Sequence, residues 1–293
     1  MAPRHFTENL HGEDAFQGFV VEEELHTGLS RYQHIEIFQT PRFGRVLVLD
    51  GIVQTTERDE FMYHEMLVHV PIFACRSPRD ILIIGGGDGG SLREVLRHDI
   101  GRVDMVEIDE QVVTACIEHL PTLNEAGAVY KDPRVNLIFD DAYTYLRREK
   151  RHYDVIICDS TDPVGAGEIL FTHDFYASCK AALNQAGTLS LQNGVAFLQS
   201  EESHNTMRAL RRLNLMAKCY QVAVPTYYGG SMVLAFGTRD SIAFNPSLVQ
   251  LTQRFEQMAA PLKHYTPAHH LASFVLPRWI QEITGECDDS SNA

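Results

Sequence analysis

Acidic residues stand at the ends of four apolar, strand-like runs of this sequence. They are Asp88, Glu107, Asp109, Asp140, Asp141, Asp159 and Asp162. In an open parallel sheet, ligands bind outside the carboxyl ends of the strands, so acids at these places can face a common ligand. Several carboxylates around one cleft repel one another unless a cation compensates their charge. The spacing therefore predicts a pocket for a positively charged small molecule.

The strongest single signal is the glycine-rich segment Gly85–Gly90, which follows the apolar run Ile81–Ile84 and precedes a helix-like stretch. A glycine turn in this context lets the backbone approach a nucleotide-type ligand closely. The usual ligand is a pyrophosphate. Asp88 lies inside this loop, however, and would place a fixed negative charge beside the phosphate oxygens. The loop instead favours a nucleoside that carries positive charge.

Individual strand-end acids also have a purely structural explanation, because a carboxylate just before a helix can cap it. Glu107 stands about twenty residues after the glycine loop, where a carboxylate can accept hydrogen bonds from both ribose hydroxyls. Asp109 is followed by Glu110 and a helix-like stretch, so we predict that it is a cap. Asp141 fits capping and ligand binding equally well.

Asp159 and Asp162 lie three residues apart in a loop that follows another apolar run. Two such acids can point into one pocket and hold an ammonium group. An aspartate before proline, here Pro163, is also typical of a plain turn, and the pair alone favours that turn. Together with Asp88 and Glu107, the pair favours a functional site.

The first part of the chain predicts a small β-domain that would support this site. Apolar residues alternate with polar ones from about Phe16 to Glu57, which is typical of short antiparallel strands. The predicted breaks are Gly28, Pro41–Gly44 and Asp50-Gly51. Asp59 is then predicted to cap a helix that runs to about Val70 and ends at Pro71.

From Ile81 onward, strand-like runs alternate with amphipathic, helix-like stretches, which predicts a parallel sheet covered by helices. The strand-like runs are Ile81–Ile84, Val103–Ile108, Val135–Phe139, Val155–Cys158 and Thr188–Leu191; the helix-like stretches include Glu110–Leu120 and Asp174–Leu183. Cys219–Val224 and Ser231–Phe236 predict an antiparallel hairpin at one sheet edge. We therefore predict an α/β fold with a β-domain and linking helix over residues 1–70 and a Rossmann-like domain over residues 71–293.

Composition limits the possible partners. The chain has 39 acidic and 25 basic residues and a formal net charge of −14. This charge disfavours nucleic acids and anionic membranes as partners and suits cationic small molecules. The six cysteines show no paired spacing of the zinc type, and no apolar run approaches membrane-spanning length. We expect a cytoplasmic protein with reduced thiols.

Six blocks of residues stand in a fixed order along the chain: Leu49–Phe61, Tyr63–Glu65, Ile83–Gly90, Val106–Asp109, Asp159–Pro163 and Pro225–Tyr227. Together they resemble the spermidine synthases, and the resemblance extends over nearly the whole chain. It implies an N-terminal β-domain on a Rossmann-like methyltransferase fold, and a homodimer or homotetramer. It also implies transfer of an aminopropyl group from decarboxylated S-adenosylmethionine to putrescine, giving spermidine and methylthioadenosine. The donor is a co-substrate, and no cofactor or metal is expected.

The same resemblance implies roles for particular side chains. The implied contacts of the donor are Gln33, Asp88, Glu107, Asp141, Ala142 and Ala166. Glu107 would bind the ribose, Asp141 would lie near the adenine, and Asp88 would hold the aminopropyl amine. Many relatives have glycine at the position of Ala142 and proline at the position of Ala166.

The implied contacts of the polyamine are Tyr63, His64, Asp88, Asp159, Asp162 and Tyr227. Asp159 matches the catalytic acid of the spermidine synthases. His64 matches the form found in bacterial members, whereas animal members have glutamine there.

Two alternative functions share much of this charge pattern. One is an N-methyltransferase that uses ordinary S-adenosylmethionine on a polyamine. That donor carries a carboxylate, which would lie beside the carboxylate of Asp88. Methyltransferases also commonly have an acidic residue at the end of the strand before the glycine loop, and this chain has Ile83 at that position. The other alternative is a non-catalytic polyamine-binding protein, for which the complete acid set would be unnecessary.

Overall fold

The computed structural model describes residues 4–163, 165–258 and 261–286. Its strands are β1 (Arg4–Glu8), β2 (Gln17–Val21), β3 (Glu23–Leu29), β4 (His34–Thr40), β5 (Gly44–Leu49), β6 (Ile52–Thr56), β7 (Asp80–Gly85), β8 (Arg102–Glu107), β9 (Val135–Phe139), β10 (Tyr153–Asp159), β11 (Leu183–Val195), β12 (Met216–Ala223) and β13 (Ser231–Thr238). Its α-helices are α1 (Glu60–Ala74), α2 (Gly90–Leu96), α3 (Glu110–His119), α4 (Ala142–Arg148), α5 (His173–Ala182), α6 (Ser200–Arg212), α7 (Ser241–Phe244), α8 (Leu248–Phe255), α9 (Pro267–Ser273) and α10 (Arg278–Thr284).

The N-terminal region is antiparallel throughout, as its alternating pattern predicts. Strands β3 to β6 form a four-stranded meander, and β1 pairs with β2 in a separate two-stranded sheet. The turn between β5 and β6 places Asp50 at φ 49° and Gly51 at φ 80°, the backbone that an Asp-Gly hairpin turn favours. The predicted break at Gly28 is wrong, because Gly28 lies within β3 opposite Ile35. The sequence analysis also missed β1.

Helix α1 continues past the predicted stop at Pro71 and ends at Ala74. Proline lacks a backbone N–H and normally ends a helix interior, but here it stands in the last turn, where one lost hydrogen bond costs little. The carbonyl of Pro71 accepts a hydrogen bond from the Thr188 hydroxyl at 2.9 Å, so the sheet holds this turn in place. Burial on nearly every side therefore outweighs the local proline signal.

The larger sheet has seven strands in the order β12-β13-β11-β10-β7-β8-β9. Neighbours from β11 to β9 are parallel, while β13 is antiparallel to both β11 and β12, which confirms the predicted parallel sheet and terminal hairpin. The chain runs from β7 to β9 on one side and then returns to β10 on the other. The strand order thus reverses between β7 and β10, where open α/β sheets bind their ligands.

Two apolar cores cover the faces of this sheet, and a third fixes the β-domain to it. In the third core, Ile37 and Leu47 of the β-domain pack with Val112 and Cys116 of α3. The meander therefore lies over the carboxyl ends of β7 and β8. Helix α1 packs against the larger sheet, and the predicted domain boundary after residue 70 stays a prediction.

The described residues contain no helix that is both long and apolar enough to cross a membrane. The five cysteines described in the structure, Cys75, Cys116, Cys158, Cys179 and Cys219, are buried and free.

Candidate active site

A deep cleft lies between the β-domain and the carboxyl ends of the larger sheet. Its atom-free volume, including the open mouth, is about 1280 Å³. The structure brings together in this cleft every predicted site residue whose side chain it describes: Gln33, Tyr63, His64, Asp88, Glu107, Asp141, Ala142, Asp159, Asp162 and Tyr227. The side chain of Ala166 lies outside the described residues. The roles assigned to these residues stay predictions.

The glycine loop brings the ends of β7 and β10 into direct contact. Gly85 has a φ of +77°, and a Cβ atom there would lie 2.2 Å from the backbone oxygen of Asp159. The backbone N–H of Gly86 donates to that same oxygen at 2.9 Å. Only a glycine accommodates both this φ and this close approach. The loop thereby holds Asp88 and Asp159 on one side of the cleft.

Asp159 is held in a fixed orientation by two hydroxyl groups. Tyr63 Oη donates to Oδ1 at 2.9 Å, and Ser91 Oγ donates to Oδ2 at 2.7 Å. Burial raises the pKa of Asp159, and the negative charge of Asp88 adds to this effect, while His64 and the two hydroxyl groups oppose it. The net shift is upward, so Asp159 binds a proton more readily than an ordinary aspartate does.

His64 lies between Glu60 on one side and Asp88 and Asp159 on the other. Its Nδ1 donates to Glu60 Oε2 at 2.7 Å, and its Nε2 lies 3.6 Å from Asp88 Oδ1 and 3.9 Å from Asp159 Oδ2. Burial lowers the pKa of His64, but Asp88 and Glu60 outweigh burial and hold that pKa well above its usual value. The surrounding carboxylates therefore favour the charged form of the ring.

The nucleoside side of the cleft is built around Glu107, which is buried at the end of β8. Its Oε1 accepts a hydrogen bond from the Asp109 backbone at 2.9 Å. Burial raises the pKa of Glu107 to about 7, and the charge of Asp109 adds to this effect. Hydrogen bonds from a ligand would therefore stabilise the ionised form of this buried carboxyl group.

Two further residues on this side are engaged within the protein. Asp109 caps α3 through Gln111, as predicted, and also accepts a hydrogen bond from the Gln33 amide at 2.9 Å. Asp141 caps α4 by accepting from the Thr144 backbone at 2.7 Å. Capping is thus one role of Asp141, which also lines the cleft together with Ala142.

The opposite side of the cleft contains Asp162 and Glu8. The Gln199 amide donates to Asp162 Oδ1 at 2.6 Å. Glu8 is only 2% exposed and accepts from Gln17 at 2.9 Å and from the Val53 backbone at 3.1 Å. Burial raises the pKa of both carboxyl groups, and they repel each other.

Two aromatic rings separate this acidic end from Asp159. The rings of Tyr63 and Tyr227 lie 6.1 Å apart between centroids and are nearly perpendicular, at 85°. The Tyr227 hydroxyl donates to the backbone oxygen of Gln54, which anchors the ring to the β-domain. The arrangement forms an apolar passage with carboxylates at both ends, which suits an aliphatic diamine.

Comparison with known proteins identifies the family. Residues 60–246 match the family described as "Spermine/spermidine synthase domain", and residues 6–57 match "Spermidine synthase tetramerisation domain". The chain belongs to the spermine/spermidine synthase family. It is therefore a transferase, as predicted.

Curated relatives support this family assignment over most of the chain. The protein named polyamine aminopropyltransferase 1 of Pseudomonas aeruginosa is 44% identical over 274 residues, which cover 93% of this chain and 95% of that protein. The polyamine aminopropyltransferase of Yersinia pseudotuberculosis is 45% identical over 265 residues, covering 90% of this chain and 89% of its own.

Solved structures of spermidine synthases share the fold. A spermidine synthase in complex with the transition-state analogue AdoDATO has a TM-score of 0.90 and 34% identity, with 97% of each chain covered. The spermidine synthase of Thermotoga maritima has a TM-score of 0.87 and 33% identity, covering 97% of this chain and 95% of its own. These likenesses confirm the predicted Rossmann-like methyltransferase fold preceded by a β-domain.

The sequence analysis missed two polar groups of the cleft, Glu8 and Gln199, and it missed Glu60, which holds His64 from behind. Glu8 lies on β1, a strand of five residues that shows too little alternation to be recognised. Glu60 and His64 are four residues apart in α1, a spacing that places them on one helix face and could have been noticed. Gln199 lies in a loop whose position depends on the long strand β11.

Proposed function

We propose that this protein transfers the aminopropyl group of decarboxylated S-adenosylmethionine to putrescine and releases spermidine and methylthioadenosine. The observation that carries the proposal is the placement of Asp88 inside the glycine loop, beside Asp159 at the end of β10. This pair offers two carboxylates where a donor amine and an acceptor amine would meet. Membership of the spermine/spermidine synthase family supports the same reaction.

The donor would occupy the half of the cleft under the β-domain. Glu107 would accept hydrogen bonds from the ribose hydroxyls, which relieves the penalty of its burial. Asp141 and Ala142 would lie near the adenine, and the glycine loop would follow the sulfonium. Asp88 would bind the ammonium group of the aminopropyl chain. An ordinary S-adenosylmethionine would bring a carboxylate to Asp88, which disfavours methyl transfer.

The acceptor would lie in the passage between Tyr63 and Tyr227. Putrescine carries two ammonium groups with pKa values near about 10, by analogy with lysine. One end would reach Asp159, and the other would reach Asp162 and Glu8, whose pKa values are raised by burial. The apolar tetramethylene spacer would pack on the two rings. This binding mode fixes the attacking nitrogen beside the donor carbon.

The reaction is a substitution at the carbon attached to sulfur. The attacking ammonium first loses a proton to Asp159, whose raised pKa makes it a stronger base than an ordinary aspartate. The neutral nitrogen then forms a bond to carbon while the carbon–sulfur bond breaks, and the bonding pair stays on sulfur as a neutral thioether. Asp159 passes its proton to the solvent, and the regenerated carboxylate stabilises the positive charge that develops on the nitrogen. We propose no cofactor beyond the co-substrate donor.

We also propose that the protein acts as a homodimer or homotetramer. The match of residues 6–57 to a tetramerisation domain supports assembly. Within this region the side chains of Phe16 and Leu29 are 66% and 77% exposed, which suits an interface better than a monomer surface. The free, buried cysteines support a reducing, cytoplasmic location.

The test offers the purified protein both donors, decarboxylated and ordinary S-adenosylmethionine, with putrescine, cadaverine, agmatine and spermidine in parallel. Products are identified by mass spectrometry. We expect aminopropyl addition to putrescine from the decarboxylated donor. Methyl addition from the ordinary donor would contradict the proposal, and tight putrescine binding without any product would indicate a binding protein instead.

A further inference from the structure

A chain of buried ionic groups leads away from the cleft behind His64. Glu60 accepts hydrogen bonds from His64 and from Arg93, whose Nη2 lies 2.8 Å from Glu60 Oε2. Arg93 Nε donates to Glu94 Oε1 at 2.8 Å, and Glu94 Oε2 accepts from His69 at 3.0 Å. All five side chains are less than 10% exposed. Hydrogen-bond donors and carboxylates alternate along this chain, so each carboxylate has a partner.

The His64 ring is confined sterically as well as by hydrogen bonds. It lies directly on Gly90, the first residue of α2, where a Cβ atom would be 2.3 Å from His64 Cε1. Tyr63 packs edge-on against it, with ring centroids 5.3 Å apart. The ring therefore cannot turn away from the cleft, and Nε2 points toward Asp88 and Asp159 in every state of the site.

The groups that face His64 come from three elements. Glu60 and Tyr63 lie on its own helix, Asp88 lies in the loop between β7 and α2, and Asp159 ends β10. Three of these four are carboxylates, so their summed field strongly favours a charged ring when the cleft is empty. A cationic ligand at Asp88 and Asp159 would remove this preference, because it repels the ring and occupies the same two acids.

We propose that His64 is the resident cation of the empty cleft, positioned by Glu60 and Arg93, and that it releases its Nε2 proton when the donor ammonium binds. The Nδ1 proton stays on the ring and is still donated to Glu60. The Nε2 lone pair then accepts a hydrogen bond from the incoming ammonium, because Nε2 lies 3.6 and 3.9 Å from the two acids that bind this ammonium. The released proton goes to the solvent. This inference rests on the proposed donor, because only a donor with an amine and no carboxylate reverses the charge at this point.

The deciding measurement is the protonation state of His64 in the intact protein. Nitrogen NMR of histidine-labelled protein at pH 7 should show both ring nitrogens of His64 protonated in the empty state. With decarboxylated S-adenosylmethionine bound, Nε2 should become unprotonated while Nδ1 keeps its proton. Methylthioadenosine, which lacks the amine, should leave the ring charged. His64→Gln assigns the signals, because they vanish in that variant. A ring that stays charged with the donor bound overturns the inference.

A second measurement tests the role of Glu60. The protonation midpoint of His64 in the empty protein should move to lower pH in Glu60→Gln, because a facing negative charge is gone. If Glu60→Gln does not fold, Glu60→Asp replaces it. This variant keeps the negative charge but moves it away from the His64 ring, so it should give a smaller shift of the midpoint in the same direction. Glu118→Gln, at an exposed site, is the matched control and should give no shift. Equal midpoints in all variants would remove Glu60 from a positioning role.

These outcomes separate this inference from the proposed function. A protein that makes spermidine while His64 stays charged contradicts the proton release and leaves the reaction standing. A protein that makes no aminopropyl product from the decarboxylated donor contradicts the proposed function itself.

Discussion

The centre of the cleft and its two ends hold their carboxylates in different ways. At the centre, Asp88 and Asp159 share a neighbouring cation, His64, which the protein itself supplies. At the ends, Glu107 on the nucleoside side and Glu8 with Asp162 on the acceptor side form no ion pair with any described residue. Backbone and amide hydrogen bonds alone hold them.

This difference separates two tasks. The end carboxyl groups have pKa values raised by burial, so a ligand that supplies hydrogen-bond donors or positive charge recovers that free energy as affinity. At the centre, His64 offsets part of the same burial penalty at Asp159, so ligand binding there exchanges one cation for another. We therefore expect changes at the ends to affect binding and changes at the centre to affect the reaction.

Among the substitutions in the cleft, we expect the largest loss of activity from a change of Asp159 at the centre. Asp159→Asn should lower kcat by about 10³-fold, because the variant can neither accept the proton nor stabilise the developing ammonium. Calorimetric affinity for methylthioadenosine should be nearly unchanged. Asp99→Asn, whose side chain is 98% exposed, is the control and should be fully active. Unchanged turnover in Asp159→Asn would remove this residue from the mechanism.

A smaller effect is expected at the acceptor end. Asp162→Asn should raise KM for putrescine by up to about 100-fold, because a buried charge-assisted hydrogen bond to the ammonium is lost. Glu8→Gln should act in the same direction, and kcat should change much less in both variants. Steady-state kinetics with varied putrescine distinguish the two parameters. A loss confined to kcat would mean that the two regions of the cleft do not divide their tasks in this way.

At the nucleoside end, we expect the ionisation of Glu107 to make the free energy of unfolding of the ligand-free protein depend on pH. The pKa of Glu107 is about 7 in the folded protein, above the ordinary value of 4.5, so the folded state binds this proton more tightly. The resulting stabilisation is fully present below pH 4.5 and is lost as the pH rises through 7. Between pH 5 and 8 the wild type should lose about 2–3 kcal/mol of unfolding free energy that Glu107→Gln keeps.

Urea unfolding at the two pH values measures this difference. Glu118→Gln, on the exposed face of α3, should follow the wild type. If Glu107→Gln also followed the wild type, the carboxyl of Glu107 would already be compensated in the empty cleft.

The smallest effect is expected on the relative affinity of the cleft for decarboxylated S-adenosylmethionine and methylthioadenosine. Asp88→Ala should weaken decarboxylated S-adenosylmethionine about 10-fold more than methylthioadenosine, because only the former has an amine to pair with this carboxylate. Calorimetric titrations of both ligands give the ratio. Equal losses would show that Asp88 supports the loop rather than the amine.

Much of the centre and of the nucleoside end was predictable from the sequence, because their acidic residues follow a local rule. Asp88, Glu107 and Asp159 each stand where a buried apolar run ends, and parallel strands bring such ends to one edge of a sheet. The resemblance to spermidine synthases then added Tyr63 and Tyr227, whose positions follow no such rule.

The acceptor end was only half predictable. Asp162 stands in a recognisable loop, but its partner Glu8 lies more than 150 residues away in sequence on a strand too short to recognise. The continuation of α1 through Pro71 was missed for a similar reason, since burial by distant strands overrides the local signal.

The sequence by itself therefore determined the sheet, the glycine loop, the family and the row of strand-end acids, because each depends on neighbours within a few residues. Only the tertiary structure decided which of these acids carries a compensating charge. That property depends on burial and on partners from separate elements. Glu60 and Arg93 lie behind His64, whereas Glu8 and Glu107 have hydrogen-bond donors and further carboxylates around them. Electrostatic compensation is a sum over the folded surroundings, and no local stretch of sequence contains it.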